Sequence, residues 1–99
     1  MTKKITIAVK EPAKAWRIVE AEDTLQTYQK IVGGYIEGFY TNYQGIHFFC
    51  NEEGKLQGLA PNIMCGGDMI VGSIFAVRDD GEGEFASLTQ EDIEQFCGI

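Results

Sequence analysis

Residues 51–62 read Asn51-Glu52-Glu53-Gly54-Lys55-Leu56-Gln57-Gly58-Leu59-Ala60-Pro61-Asn62. Two carboxylates, one ammonium and three carboxamides share twelve positions with two glycines and a proline. Such a segment is either turn chemistry, in which Asn, Gly and Pro satisfy and bend the backbone, or a contact surface. In the second case the amides and paired carboxylates read a polar ligand's donors and Lys55 supplies one cation. The candidate contact set is Asn51, Glu52, Glu53, Lys55, Pro61 and Asn62. Tyr35 and Glu37 join it if their strand runs beside the loop.

Residues that could carry covalent or acid–base chemistry are sparse. His47 is the sole histidine. A thiol nucleophile would need it within hydrogen-bond reach, yet Cys50 lies three positions away in a strand-like run, where side chains alternate. A half-buried strand histidine is the plainer expectation. Cys50, Cys65 and Cys97 form no C-x-x-C pair and fit reduced thiols of a cytoplasmic protein better than a disulfide framework or a zinc site. The turn Asp80-Gly81-Glu82-Gly83-Glu84 with Glu91 has Phe85 where a calcium loop needs glycine. Neither Gly33-Gly34 nor Gly66-Gly67 has phosphate-loop spacing, and Ser73 and Ser87 lack a nucleophile-elbow context. No catalytic kit, metal or cofactor is expected.

The elements that would position these groups follow from periodicity. Lys3–Lys10 alternates with Ile5, Ile7 and Val9 on one face, a strand. Glu11-Pro12-Ala13-Lys14 breaks it, and Ala15–Ala21 resumes as a strand. A helix over about 23–33 starts with Asp23 as N-cap and Gln26 at the capping-box position. Leu25, Tyr28, Ile31 and Val32 form its apolar side, and Gly33-Gly34 ends it. Tyr35–Thr41 and Ile46–Asn51 form a hairpin, central in the sheet and aromatic on both faces. Pro61-Asn62 reads as a turn. Asp68–Arg78 reads as one long apolar strand with a bulge at Gly72, followed by an acidic turn and a short strand at Glu84–Ser87. A helix over about 89–98 opens at Thr89 with Asp92 completing its capping box, and Ile93, Phe96 and Cys97 form its stripe. The class is α+β: one domain over residues 1–99, mainly an antiparallel sheet of five to six strands with two helices.

With 99 residues, 44% of them hydrophobic and eleven aromatic, the chain can bury one core but cannot divide it. The net charge of -7 is uneven: residues 1–50 hold six Lys/Arg against five Asp/Glu, and residues 51–99 hold two against ten. Such an acidic half repels phosphates, which disfavours direct binding to nucleic acid or to an anionic membrane. It suits a basic partner, or simply solubility. The apolar stretch after Lys3-Lys4 is too short for a signal peptide. No apolar run approaches the roughly 20 residues of a membrane span, so a cytoplasmic setting is expected.

The run Leu25-Gln26, then Ile31-Val32-Gly33-Gly34-Tyr35-Ile36-Glu37, then Asn51 to Leu59 and Pro61-Asn62, then Asp68, Ile70 and Gly72, then Asp79-Asp80-Gly81 and Ser87-Leu88-Thr89, resembles one family. Its members are small domains of unknown function encoded by phages and by conjugative or integrative elements of bacteria. The resemblance implies a mobile-element origin and a cytoplasmic setting, and brings no established activity. The first functional expectation is a non-enzymatic binding module that engages a host protein or a small polar ligand through the 51–62 loop. The alternative is a DNA mimic in which Asp79, Asp80, Glu82, Glu84, Glu91, Asp92 and Glu94 stand in for phosphates. An enzyme comes third, and a homodimer through the aromatic strand face is left open.

Overall fold

A computed structural model describes residues 3–96. In chain order the elements are β1 (Lys4–Lys10), β2 (Arg17–Glu22), α1 (Leu25–Val32), β3 (Ile36–Phe39), β4 (Ile46–Asn51), β5 (Pro61–Cys65), β6 (Asp68–Val71), β7 (Ile74–Asp79), β8 (Phe85–Ala86) and α2 (Gln90–Phe96). The expected class is the one observed: an antiparallel sheet of six strands with two helices. Its order is β2-β1-β7-β4-β3, with β8 paired to β7, while β5 and β6 form a separate two-stranded ribbon.

Alternation sets the two faces of the sheet. Ile5, Ile7, Val9, Phe75 and Val77 point to one side and pack with Tyr28 and Val32 of α1. At the centre Phe75 is fully buried between two stacked rings, Tyr28 at 4.8 Å and Phe49 at 5.1 Å. Offset aromatic contacts of this kind add to the burial itself. The opposite side is covered twice. Leu88 and Ile93 of the α2 region pack on Ala8, Ile46, Phe48 and Ala76, and the ribbon packs Ile63 and Ile70 against Cys50 and Ile74. Trp16 and Phe39 lie against both clusters.

Several local expectations change for identifiable reasons. Thr24, not Asp23, caps α1: its side chain accepts from the Thr27 N–H. Asp23 is diverted, since its carboxylate accepts from the Tyr28 hydroxyl at 2.6 Å. Leu25 is exposed, because α1 is short and only Tyr28 and Val32 reach the sheet fully. The Asp68–Arg78 run is two strands in two different sheets. Gly72 turns the chain between them with φ 78°, and a Cβ there would meet Leu59 Cδ1 at 2.7 Å. Pro61-Asn62 opens β5 instead of turning, a place where proline's missing N–H costs no ladder bond. The hairpin is not central, since β4 is internal but β3 is an edge.

α2 begins as expected. Thr89 N–H donates to Asp92 Oδ2, and Asp92 N–H donates to Thr89 Oγ1, which is the reciprocal capping pattern. Ile93 is buried, while the Phe96 side chain and Cys97 lie outside the described residues. No helix among the described residues is long and apolar enough to cross a membrane.

Candidate functional site

The 51–62 segment is built inward. Asn51 is 5% exposed. Its Nδ2 donates to Val32 O at 3.1 Å and to Gln57 Oε1 at 3.2 Å, and its Oδ1 accepts from the Glu53 N–H at 2.8 Å. It thus satisfies a carbonyl at the C-terminal end of α1, where helices leave such groups unpaired. A Cβ on Gly34 would lie 2.9 Å from Asn51 Nδ2, so the second glycine of the Gly33-Gly34 pair clears the space for this amide. Asn62 plays a matching role at the other end. Its Nδ2 donates to Lys10 O at 2.8 Å and Gly72 O at 2.7 Å, and its Oδ1 accepts from Lys10 Nζ at 2.7 Å, tying the ribbon to β1. Both amides expected to meet a ligand are therefore committed to the fold.

Tyr35 and Glu37 do run beside the loop, as Ile36 pairs with Asn51, Glu37 with Cys50, and Tyr35 O accepts from the Glu52 N–H at 2.8 Å. Glu37, Glu52, Glu53, Lys55 and Asp68 line a cleft of about 150 Å³, below the usual size of a small-molecule pocket. Across it Lys55 pairs with Asp68, both well exposed. Pro61 is exposed at the ribbon's start.

The thiol and the imidazole do not meet. His47 and Cys50 lie on opposite faces of β4. Cys50 is buried, and burial first, then Glu37 and Asp68, pushes its thiol pKa up. Such a thiol is a poor nucleophile. His47 is exposed rather than half-buried and lies 3.5 Å from Asp79 Oδ2.

The acids expected to act together are divided. Asp80, Glu82, Glu84, Glu91 and Glu94 are exposed. Asp79 faces His47, and its Oδ1 accepts from Gly81 N–H, while Asp80 Oδ1 accepts from the N–H groups of Glu82 and Glu84. Asp92 is no surface acid. It is 2% exposed and forms a two-pronged ion pair with Arg78, whose Nε is 2.7 Å from Asp92 Oδ2 and whose second nitrogen meets Oδ1. The Arg78 guanidinium first, with Thr89 assisting, lowers the Asp92 carboxyl to about 2.

The feature that periodicity did not reveal lies between the β3–β4 hairpin and the ribbon. Trp16, Tyr40, Thr41, Asn42, Tyr43, Phe48, Ile63, Met64, Cys65 and Gly66 surround a groove of about 520 Å³. None of these side chains is charged, although the chain carries -7. Trp16 meets Phe48 edge-on at 5.9 Å and Tyr43 lies 6.1 Å from Phe48. Tyr40 is 97% exposed and Met64 61%. Cys65 Sγ donates to Tyr40 O at 3.0 Å, joining the ribbon tip to the end of β3. A second cavity of about 370 Å³ wraps the same hairpin end from Gly38 to Phe49. The one sequence signal was the aromatic content of the hairpin on both faces; the wall supplied by Ile63 to Gly66 had none.

Comparison with curated proteins gives no match, and comparison with solved structures gives none either. One family model matches residues 5–98, nearly the whole chain, and the chain accordingly belongs to the family described as a domain of unknown function, DUF3846.

Proposed function

We propose that this chain is a non-enzymatic binding module, a cytoplasmic accessory protein of a phage or other mobile element, and that it holds an apolar segment of a protein partner in the groove between the β3–β4 hairpin and the β5–β6 ribbon. The observation that carries this reading is the groove itself: an uncharged wall of Trp, Tyr, Phe and Met on an otherwise acidic chain. Aromatic residues and methionine are the types enriched where proteins meet, and charge is depleted at the centre of such contacts. The volume of about 520 Å³ suits several side chains of a peptide. Free thiols at Cys50 and Cys65 agree with a reducing compartment, and the Gly-Gly-Tyr and Asn-Glu-Glu-Gly-Lys motifs support the mobile-element origin.

A peptide-display selection on the full chain tests the reading. Enriched peptides should be rich in apolar residues, and Tyr40→Ser or Met64→Ser should weaken them at least tenfold while leaving the far-ultraviolet spectrum unchanged. Selected peptides that bind both variants as well as the parent chain, or no enrichment at all, would refute the groove as the contact site.

A further inference from the structure

We infer that the partner segment binds as an added strand on the open edge of β3, pairing antiparallel with Ile36–Phe39 and presenting an apolar-apolar-basic triplet. This deepens the reading just given and rests on it. β3 ends the sheet. Because Tyr35 O accepts from Glu52 N–H and Ile36 is in register with Asn51, the alternation of an antiparallel ladder puts Glu37 and Phe39 in the hydrogen-bonded pairs with β4. The N–H and C=O groups of Ile36 and Gly38 therefore point outward, and no other strand among the described residues takes them up. Native sheets usually protect such an edge with lysine, proline or a covering element, and strand addition is a recurrent way to read an extended peptide. The opposite edge, β2, carries Arg17, Glu20 and Glu22, whereas β3 carries only Glu37.

The side chains around the edge define what would pair with it. Gly38 offers none, and its missing Cβ would sit 3.4 Å from the Phe49 ring. An apolar partner residue opposite Gly38 would cover that ring, as a cross-strand aromatic does for an edge glycine. Opposite Glu37 the partner meets the cleft where Glu37, Glu52, Glu53 and Asp68 surround the single Lys55, which calls for a lysine or arginine. Opposite Phe39 the partner's side chain lies on the Phe39 face, toward Tyr40, Met64 and the groove. Read in the partner's own direction, the order is apolar, apolar, basic. The antiparallel sense follows every ladder in this sheet.

The probe is the capped peptide Thr-Thr-Val-Leu-Phe-Lys-Val-Thr-Thr, titrated into the full chain and followed by amide shifts and hydrogen exchange. Binding should slow exchange at Ile36 and Gly38 at least tenfold. N-methylation at Phe and at the Val after Lys, whose amides would face β3, should weaken binding at least tenfold, while N-methylation at Leu and Lys should change it less than threefold. Glu37→Lys should reverse the preference for Lys over Glu in the peptide. Equal losses from both methylation patterns, with shifts confined to Tyr40, Met64 and Cys65, would refute strand addition but keep the groove. No binding at millimolar peptide would refute both, and exchange at Ile36 and Gly38 that depends only on protein concentration would give the edge to a second copy of the chain.

Discussion

The 51–62 loop and the hairpin–ribbon groove both adjoin the β5–β6 ribbon, yet they use their side chains in opposite ways. The loop is dense in polar groups and turns them inward. Asn51 and Asn62 together make six hydrogen bonds, to Val32 of α1, Lys10 of β1, Gly72, and Glu53 and Gln57 of the loop itself. The groove is poor in charge and leaves rings and a thioether in solvent, with Tyr40 almost fully exposed. A polar residue whose bonds are all made within the chain has little left to offer a ligand, whereas an exposed apolar patch is unfavourable until something covers it. Polar density in this sequence marks architecture, and the exposed rings and thioether line the groove.

The largest test of that contrast is Asn51→Ala. It leaves the Val32 carbonyl without its side-chain partner in a buried setting and the Glu53 N–H without its own in a part-buried one, and an unmet buried group costs about 1–3 kcal/mol. Urea denaturation should show a loss of about 3 kcal/mol. A loss under about 1 kcal/mol would mean the loop is not the structural element described.

The next effect is pH-dependent. The folded carboxyl of Asp92 is lowered to about 2, against about 3.9 in an unfolded chain. Its contribution is therefore complete above pH 4 and is lost as pH falls toward 2, and a shift of this size corresponds to roughly 2 kcal/mol. Asp92→Asn should lower stability at pH 6 and flatten its slope between pH 4 and 2. An unchanged slope in calorimetry would show that the Arg78–Asp92 pair does not anchor α2.

The smallest effects should come from the exposed residues of both regions. Lys55→Ala breaks a solvent-exposed ion pair with Asp68 and should cost under about 1 kcal/mol, less at high salt. Tyr40→Ser should move thermal stability by no more than about 0.5 kcal/mol. A large destabilisation by Tyr40→Ser would sharpen the comparison the other way, making the groove a structural seam.

Much of the fold was legible because the signals were local. The alternation of Ile5, Ile7 and Val9, the Phe48/Phe49 split across two faces, the Gly33 stop and the Thr89/Asp92 capping box each lie within one element. The errors share a cause. Asp23 looked like the cap of α1, but Tyr28, five residues on, took its carboxylate and left Thr24 to cap. The acids after Arg78 looked like one surface, but Arg78 itself withdrew Asp92 into the core. The ribbon was missed because Pro61-Asn62 has turn chemistry, and only Lys10 and Gly72 show why Asn62 is there.

The amino-acid order by itself determined the α+β class, most strand and helix positions, and the absence of a local nucleophile–base or metal-ligand series, since periodicity and spacing act over a few residues. Tertiary structure alone decided which polar groups were already satisfied, which strand was left as an edge, and that Trp16, Tyr40 and Met64, far apart in the chain, wall one groove. Those outcomes depend on which segments pack together, and no window of sequence contains both partners of such a contact.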